Sequence, residues 1–517
     1  HYVADILLKK IVQNCEMIEQ DKEVNEFSNF EDPDFGPPLS EAGEIIRKKI
    51  LDLHEDHNLP ATFDFINKKS DERLNKIAKD KYGENCIYID DKKDGSEEDE
   101  DNSDEDQDEN DPNDIEKVLK KENEEWKEKL KAKPQMYWKW ERATSQKNKN
   151  TATTKDGKHV CNLFSQSAMA SGPTQGLLND QWLMGALSLI STRTHMLMGI
   201  RKSHQSLIHF PSDPKVNINS RKYGVYALRF FFNFKWHFII VDDRFIHIDN
   251  GSNPSILFGH CHDESEMWVS LCEKAYAKAC GGYEALNFGY VEEALQVLTG
   301  ASISEMRLRY LQAMSNLGKE SNQLREQTEK AFWSYLNKKI HTGDNVLGCS
   351  LYRNMDNIVS PGVSEARENE STGLIEGKPY IILDGKKIKG LRAEHGKNGE
   401  EKLLRLRNPW GPREWKCAWS DTDDLTKTYQ PKLKKAFDKI PIQYKGITTQ
   451  HVEPYAFDSS DADFLISLDD WGNYFNCIFI ANDHDEDIEK GKWFKKRQSG
   501  VVKGGYTDKF ELRLKKK

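Results

Sequence analysis

The sequence predicts an α+β fold in which a helix-rich part is followed by a strand-rich part, with a cleft between two lobes. Three observations predict it. In the first part Trp182, Leu183, Ala186, Leu187 and Ile190 recur at helical spacing, and MWVSLCEKAYAKAC (267–280) is again helical. Between those helices YGVYALRFFF and KWHFIIVDDRF alternate like strands. In the second part the clearest runs are all strands: KPYIILDG, EEKLLRLRNPW and FNCIFIAND.

Length and composition fit that class. A chain of 517 residues exceeds one ordinary core, and its 37% hydrophobic and 31% charged content suits a globular protein with polar insertions. No stretch approaches the roughly 18 apolar residues of a membrane span, and HYVADILLKK lacks a secretory pattern. Because the chain opens on His1, it is read as a piece of a longer protein. Nine cysteines, scattered without CxxC pairing, argue against a disulfide framework or a structural zinc site and point to a reducing, cytoplasmic compartment. Thirteen carboxylates and no Lys or Arg fall between Asp94 and Asp114; without them the net charge of -10 would become +3. A nearly neutral remainder offers no electrostatic case for nucleic acid.

Residues 1–93 alternate short helical patterns with turns such as FEDPDFGPP (30–38), whose prolines forbid a continuous helix. The acidic run 94–114 buries too little apolar surface to offset chain entropy and reads as a disordered insertion. A calcium loop is the sharper alternative there, since carboxylates recur at alternate positions. No register supplies the glycine that an EF-hand needs at its sixth position. The segment 115–136 is dominated by a charged helix, IEKVLKKENEEWKEKLKAKP, with i,i+4 charge pairs. From residue 137 a packed domain begins. It is divided into a first lobe (137–310), a helical linker (311–344) and a second lobe (345–482).

The stretch TQGLLNDQWLMGAL (174–187) carries the chemistry. A helix starting near Asn179 or Asp180 points free N–H groups and a positive dipole end at residue 181. That field stabilises a thiolate, and acyl transfer needs in addition a histidine and a group to orient it. The residue at 181 is a glutamine, which is no nucleophile.

QGLLNDQWLMGALSLI resembles the signature around the catalytic cysteine of the calpain family, where the tripeptide is Asp-Cys-Trp. Further segments resemble the family in the same order. They are FEDPDF, WKWERAT, FIIVDDRF (238–245), MWVSLCEKAYAKACGGYEALNFG (267–289), GLIEGKPYIIL (373–383) and LLRLRNPWGPREWKCAWSD (403–421). The resemblance covers most of residues 137–480 and implies a papain-like two-lobed protease core. It also makes the tail 483–517 similar to the start of a C2-like β-sandwich, which then continues beyond this chain or is completed by another.

Carried over by position, the resemblance places Gln181 at the nucleophile, Lys378 at the histidine and Asn408 at the asparagine. It also makes Gln175 the oxyanion-hole glutamine and Trp410 the shielding tryptophan. Cys161 lies 20 residues before Gln181 and outside the helix start. The calpain core carries two calcium sites. Gly172 stands where the first has an aspartate, so that site is expected to be lost. Glu414, Asp421, Asp461 and Asp463 fall on acidic positions of the second and form a candidate Ca2+ site, against the alternative of ordinary acidic loops.

The functional expectation is a catalytically inactive calpain-like pseudoprotease, a binding or scaffold module for protein partners. A cytoskeletal or ciliary assembly is the extension of that reading. The alternative is a calcium-dependent cysteine endopeptidase with another nucleophile.

Overall fold

Residues 2–20, 31–32, 86–88 and, with interruptions, 136–482 are described by a computed structural model of the chain. The acidic run 94–114, the charged segment 115–134, residues 311–321, Cys161 and the tail 483–517 lie outside the described residues.

Helix α1 (Tyr2–Gln20) has a stripe of Leu7, Leu8, Ile11, Val12 and Cys15 at helical spacing. This stripe is buried against Val216, Tyr223, Val225, Ala227 and Ile240. Around the rim Asp5 meets His209 at 2.8 Å, Glu16 accepts from Asn219 at 2.6 Å and Glu19 accepts from Lys222 at 2.6 Å. The exposed Glu19–Lys222 pair contributes at most about 1 kcal/mol, so burial of the stripe is the larger hold on α1. The N-terminal region is thus more regular than its turn-rich composition suggests, at least over its first nineteen residues.

Strand β1 (Met136–Arg142) is followed by helix α2 (Gln181–Ser191) and helix α3 (Pro214–Lys222). Asp213 caps α3 by accepting from Lys215 N at 2.9 Å, and Pro214 fills its first position. Strands β2 (Val225–Phe232) and β3 (Lys235–Asp242) form an antiparallel hairpin, and β4 (Arg244–Asp249) pairs with β1 from Tyr137↔Asp249 to Arg142↔Arg244. Helices α4 (Trp268–Cys280) and α5 (Val291–Thr299) complete this part.

The longer elements that follow are β5 (Ser302–Arg307), α6 (Asn322–His341), β6 (Val346–Ser350), β7 (Pro379–Lys389) and β8 (Glu400–Arg407). They are followed by α7 (Asp424–Phe437), β9 (Asp463–Ser467), α8 (Leu468–Tyr474) and β10 (Cys477–Asn482). Six strands make one antiparallel sheet in the order β5-β10-β6-β7-β8-β9. Mixed helix and sheet, as the sequence predicts, is what forms.

Alternation along β7 sends successive side chains to opposite faces of that sheet. Ile381 and Leu383 join Val346, Phe479 and Ala481 in one core with α2, α4 and α5. Tyr380 and Ile382 face the other way, into a core with Trp333, Leu336 and Ile340 of α6 and Trp471 of α8. The helices of the first part therefore share a core with one face of the second part's sheet. That shared core fixes the start of α2 beside the start of β7.

A buried ion network ties the N-terminal segment to this core. Asp242 of β3 accepts from Lys274 at 2.5 Å, from Arg244 at 2.7 Å and from the backbone N–H of Asp32 at 2.7 Å. Lys278 in turn reaches Asp32 at 2.7 Å. Burial opposes ionisation of Asp242, yet Arg244 and Lys274 hold its carboxyl well below the usual range.

Candidate functional site

Helix α2 begins where the apolar spacing predicts. Its N-cap is Asp180, whose carbonyl accepts from Leu183 N at 2.8 Å and Met184 N at 3.0 Å. Every residue of α2 except Gln181 is buried. The approach to the helix is held by Leu177 N donating to Leu257 O at 2.9 Å. It requires Gly176, since a Cβ there would lie 2.2 Å from the Phe258 backbone.

The Asp180 side chain does not cap the helix. It is buried against Glu273 of α4, whose Oε2 accepts from Gly259 N at 2.9 Å. Burial raises the Asp180 carboxyl. Burial and the Asp180 charge together raise Glu273 well above its ordinary value. Both Asp180 carboxylate oxygens and Glu273 Oε1 are buried without a hydrogen-bond partner. The sequence marks Asp180 only as a possible helix start and does not single out Glu273. The one available signal was a glutamate inside the apolar run WVSLCEKAYA.

Four of the five residues that the sequence places at the site meet at this helix start. Gln175 Nε2 donates to Leu178 O at 2.7 Å and to Gln181 Oε1 at 3.2 Å. Lys378 Nζ donates to Gln175 Oε1 at 3.4 Å and sits 4.5 Å from the centre of the Trp410 ring, a cation–π contact. Trp410 Nε1 donates to Pro379 O at 2.8 Å. Burial, reinforced by the nearby Arg413 charge, lowers the Lys378 ammonium below its ordinary pKa.

Asn408 is the fifth, and it does not touch Lys378. Its Nδ2 donates to Arg413 O at 2.7 Å and its Oδ1 accepts from Trp410 N at 3.1 Å. Both ends of the amide hold the 408–413 turn. Asn408 thus positions Trp410 and orients no base.

Between the two chain segments a glycine faces a proline ring. Gly185, one turn along α2, faces Pro379, and a Cβ on Gly185 would lie 2.2 Å from Pro379 Cγ. Three of the described cysteines lie deep in the cores, where burial holds their thiols protonated. Cys15 is pushed up to about 12 by burial, and burial raises Cys272 and Cys349 further still.

The acidic cluster lies apart, where the 413–421 segment meets the start of β9. Burial raises Glu414 to about 8, with Asp421 and Asp461 adding repulsion. Burial likewise raises Asp421 to about 6, with Asp461 and Asp463 contributing. Glu414 Oε2 and Asp421 Oδ2 are buried without a hydrogen-bond partner. Such orphaned, mutually repelling oxygens suit a hard divalent cation. Asp463 differs, because Arg405 and Arg407 occupy its carboxylate and hold it below the usual range despite burial. Asp461 Oδ1 accepts from Asp463 N at 2.8 Å, and the Tyr455 hydroxyl bonds Asp421. No group of three or more His, Cys, Asp or Glu side chains among the described residues is arranged to hold a metal ion. Gly172 is exposed and brings no ligand side chain. No helix of the described residues is long and apolar enough to cross a membrane.

Comparison with known proteins matches residues 107–482 to the family described as "Calpain family cysteine protease". The chain is 28% identical over 340 residues to Calpain-5 of Mus musculus, covering 63% of this chain and 45% of that protein. It is 31% identical over 324 residues to Calpain-9 of Mus musculus, covering 62% of this chain and 38% of that protein. Against the calpain-type cysteine protease DEK1 of Zea mays it is 26% identical over 352 residues, covering 67% of this chain and 13% of the relative. The chain spans less than half the length of these relatives.

Proposed function

The chain belongs to the calpain family of cysteine proteases, and on that premise we propose that it is a catalytically inactive member, a pseudoprotease serving as a binding or structural module. One observation carries the reading. Where acyl transfer needs a thiolate beside a base, the helix start holds a line of hydrogen bonds from Lys378 through Gln175 to Gln181. A carboxamide has no electron pair basic enough to attack a peptide carbonyl at neutral pH. Lys378 has only another amide to act on, and Asn408 is committed to the 408–413 turn.

The test is incubation of the purified chain with casein and millimolar calcium, together with an epoxide inhibitor that alkylates calpain-type thiols. Neither cleavage nor an adduct is expected. Calcium-dependent cleavage with an adduct on a cysteine would establish the rival reading, a protease using another nucleophile.

We further propose that calcium binds at Glu414, Asp421 and Asp461, with Asp463 holding that loop to Arg405 and Arg407. The bound ion would supply charge neutralisation to carboxylates that otherwise repel one another. Calcium should raise the melting temperature of the wild type and do so much less for Glu414→Gln. The absence of any shift at millimolar calcium would end this proposal. The cytoplasmic, scaffold role in a cytoskeletal or ciliary assembly belongs to the same reading. Failure of the chain to co-sediment with cytoskeletal polymers or to retain protein partners would remove it.

A further inference from the structure

The directions of the two amides at the helix start follow from their neighbours. An ammonium only donates, so the Gln175 atom facing Lys378 is its oxygen. The Leu178 carbonyl only accepts, so the Gln175 atom facing it is the nitrogen. That nitrogen also meets Gln181, which must therefore turn its own oxygen inward. The Gln181 amide nitrogen is left facing away, and it makes no hydrogen bond within the described protein.

The site consequently carries a surplus of donors. Lys378 has three N–H bonds and one oxygen partner, at 3.4 Å. No carboxylate among the described residues pairs with it. Its other neighbours are the Trp410 ring face and the like charge of Arg413. Two N–H bonds of Gln181 are also unused. These groups flank one carboxamide, Gln175, with the free backbone N–H groups of α2 beside them. A half-buried cation beside amide donors that have no acceptor among the described residues is a donor set that matches an anion.

We propose that this position binds the carboxylate of a peptide, which accepts from the Lys378 ammonium and from the Gln181 amide. The inference deepens the pseudoprotease reading and rests on it. One formal positive charge supplemented by neutral amide donors matches one negative charge, and a carboxylate's two oxygens match two separate donor groups. The interaction forms no covalent bond. A terminal carboxylate and an aspartate side chain offer the same chemistry, and the experiment separates them.

Isothermal titration of the full chain uses three probes: acetyl-Leu-Leu-Phe with a free C-terminus, its C-terminal amide, and acetyl-Leu-Asp-Phe amide. The free acid is expected to bind at least tenfold more tightly than its amide, and that preference should vanish in Lys378→Met. Gln181→Leu should weaken the free acid severalfold while leaving the amide unchanged. Equal binding of the aspartyl amide and the free acid would also support carboxylate recognition and assign it to side chains. Equal affinity for the free acid and its neutral amide, or no binding of any probe, would overturn the proposal. Unchanged thermal melting of both variants guards against misfolding. Cleavage of casein would refute the pseudoprotease reading by a separate measurement, whatever the titrations give.

Discussion

Asp180→Asn should change how stability depends on pH, by an amount that the buried acid pair fixes. In the folded protein burial raises the Asp180 carboxyl from 3.8 to about 7. A carboxyl raised in this way binds its proton more tightly folded than unfolded. Its stabilising contribution is therefore complete below about pH 3.8 and is lost as pH climbs to about 7. At about 1.36 kcal/mol per pH unit, the loss over that window is at most about 4 kcal/mol. An asparagine cannot ionise, still suits an N-cap, and can donate from Nδ2 to Glu273. Urea denaturation at pH 4.5 and 7.5 measures the effect. Asp180→Asn should match the wild type within about 1 kcal/mol at the lower pH and exceed it by a few kcal/mol at the higher. Glu414 and Asp421 titrate in both proteins and cancel in the difference. A stability difference that does not change between the two pH values would refute the buried acid pair.

Two further outcomes follow from the same geometry. Gly185→Ala should destabilise by about 2 kcal/mol or more, because its methyl collides with Pro379 Cγ. Helix propensity alone would make the change stabilising by about 1 kcal/mol, so the sign in chemical denaturation decides between the two. In Gln181→Cys combined with Lys378→His, the new thiol should alkylate with iodoacetamide faster than Cys15, Cys272 and Cys349, since it sits at the start of α2 while burial holds those three up. Casein turnover should nonetheless stay low because Asn408 is bonded elsewhere, and full protease turnover would show that the 408–413 turn rearranges readily.

Much of the site was legible because local patterns encode local structure. The apolar spacing after Asp180 places the helix start, and the resemblance of GLIEGKPYIIL brings Lys378 to it, 197 residues along the chain from Gln181. The helices at 181–191 and 268–280 and the strand runs in both parts were equally readable, since each is an apolar run buried over most of its length. What stayed hidden depends on partners far apart in sequence. The glutamate inside WVSLCEKAYA is a local hint of a buried charge, but nothing local says that Asp180 lies beside it. Asp463 reads as one more acidic ligand until Arg405 and Arg407 are placed beside it across the β8–β9 pairing. Asn408 sits where the resemblance puts it, yet its hydrogen bonds run to Arg413 and Trp410, and motif position carries no information on side-chain direction. The α1 stripe was obscured by the turn-rich residues that follow it, whose composition dominates any window averaged over the whole N-terminal region.

The contact between Gly185 and Pro379 acts as a mechanical stop. Neither residue reacts with anything, but together they seat the Pro379 ring against the backbone of α2 at Gly185, with no room for a Cβ between them. Any two side chains placed at 181 and 378 are measured against that same gap, whatever their chemistry. The socket is therefore specified independently of its contents. Side chains at these two positions can be exchanged with the frame around them held constant, so a change in what the site does needs no change in how the protein folds.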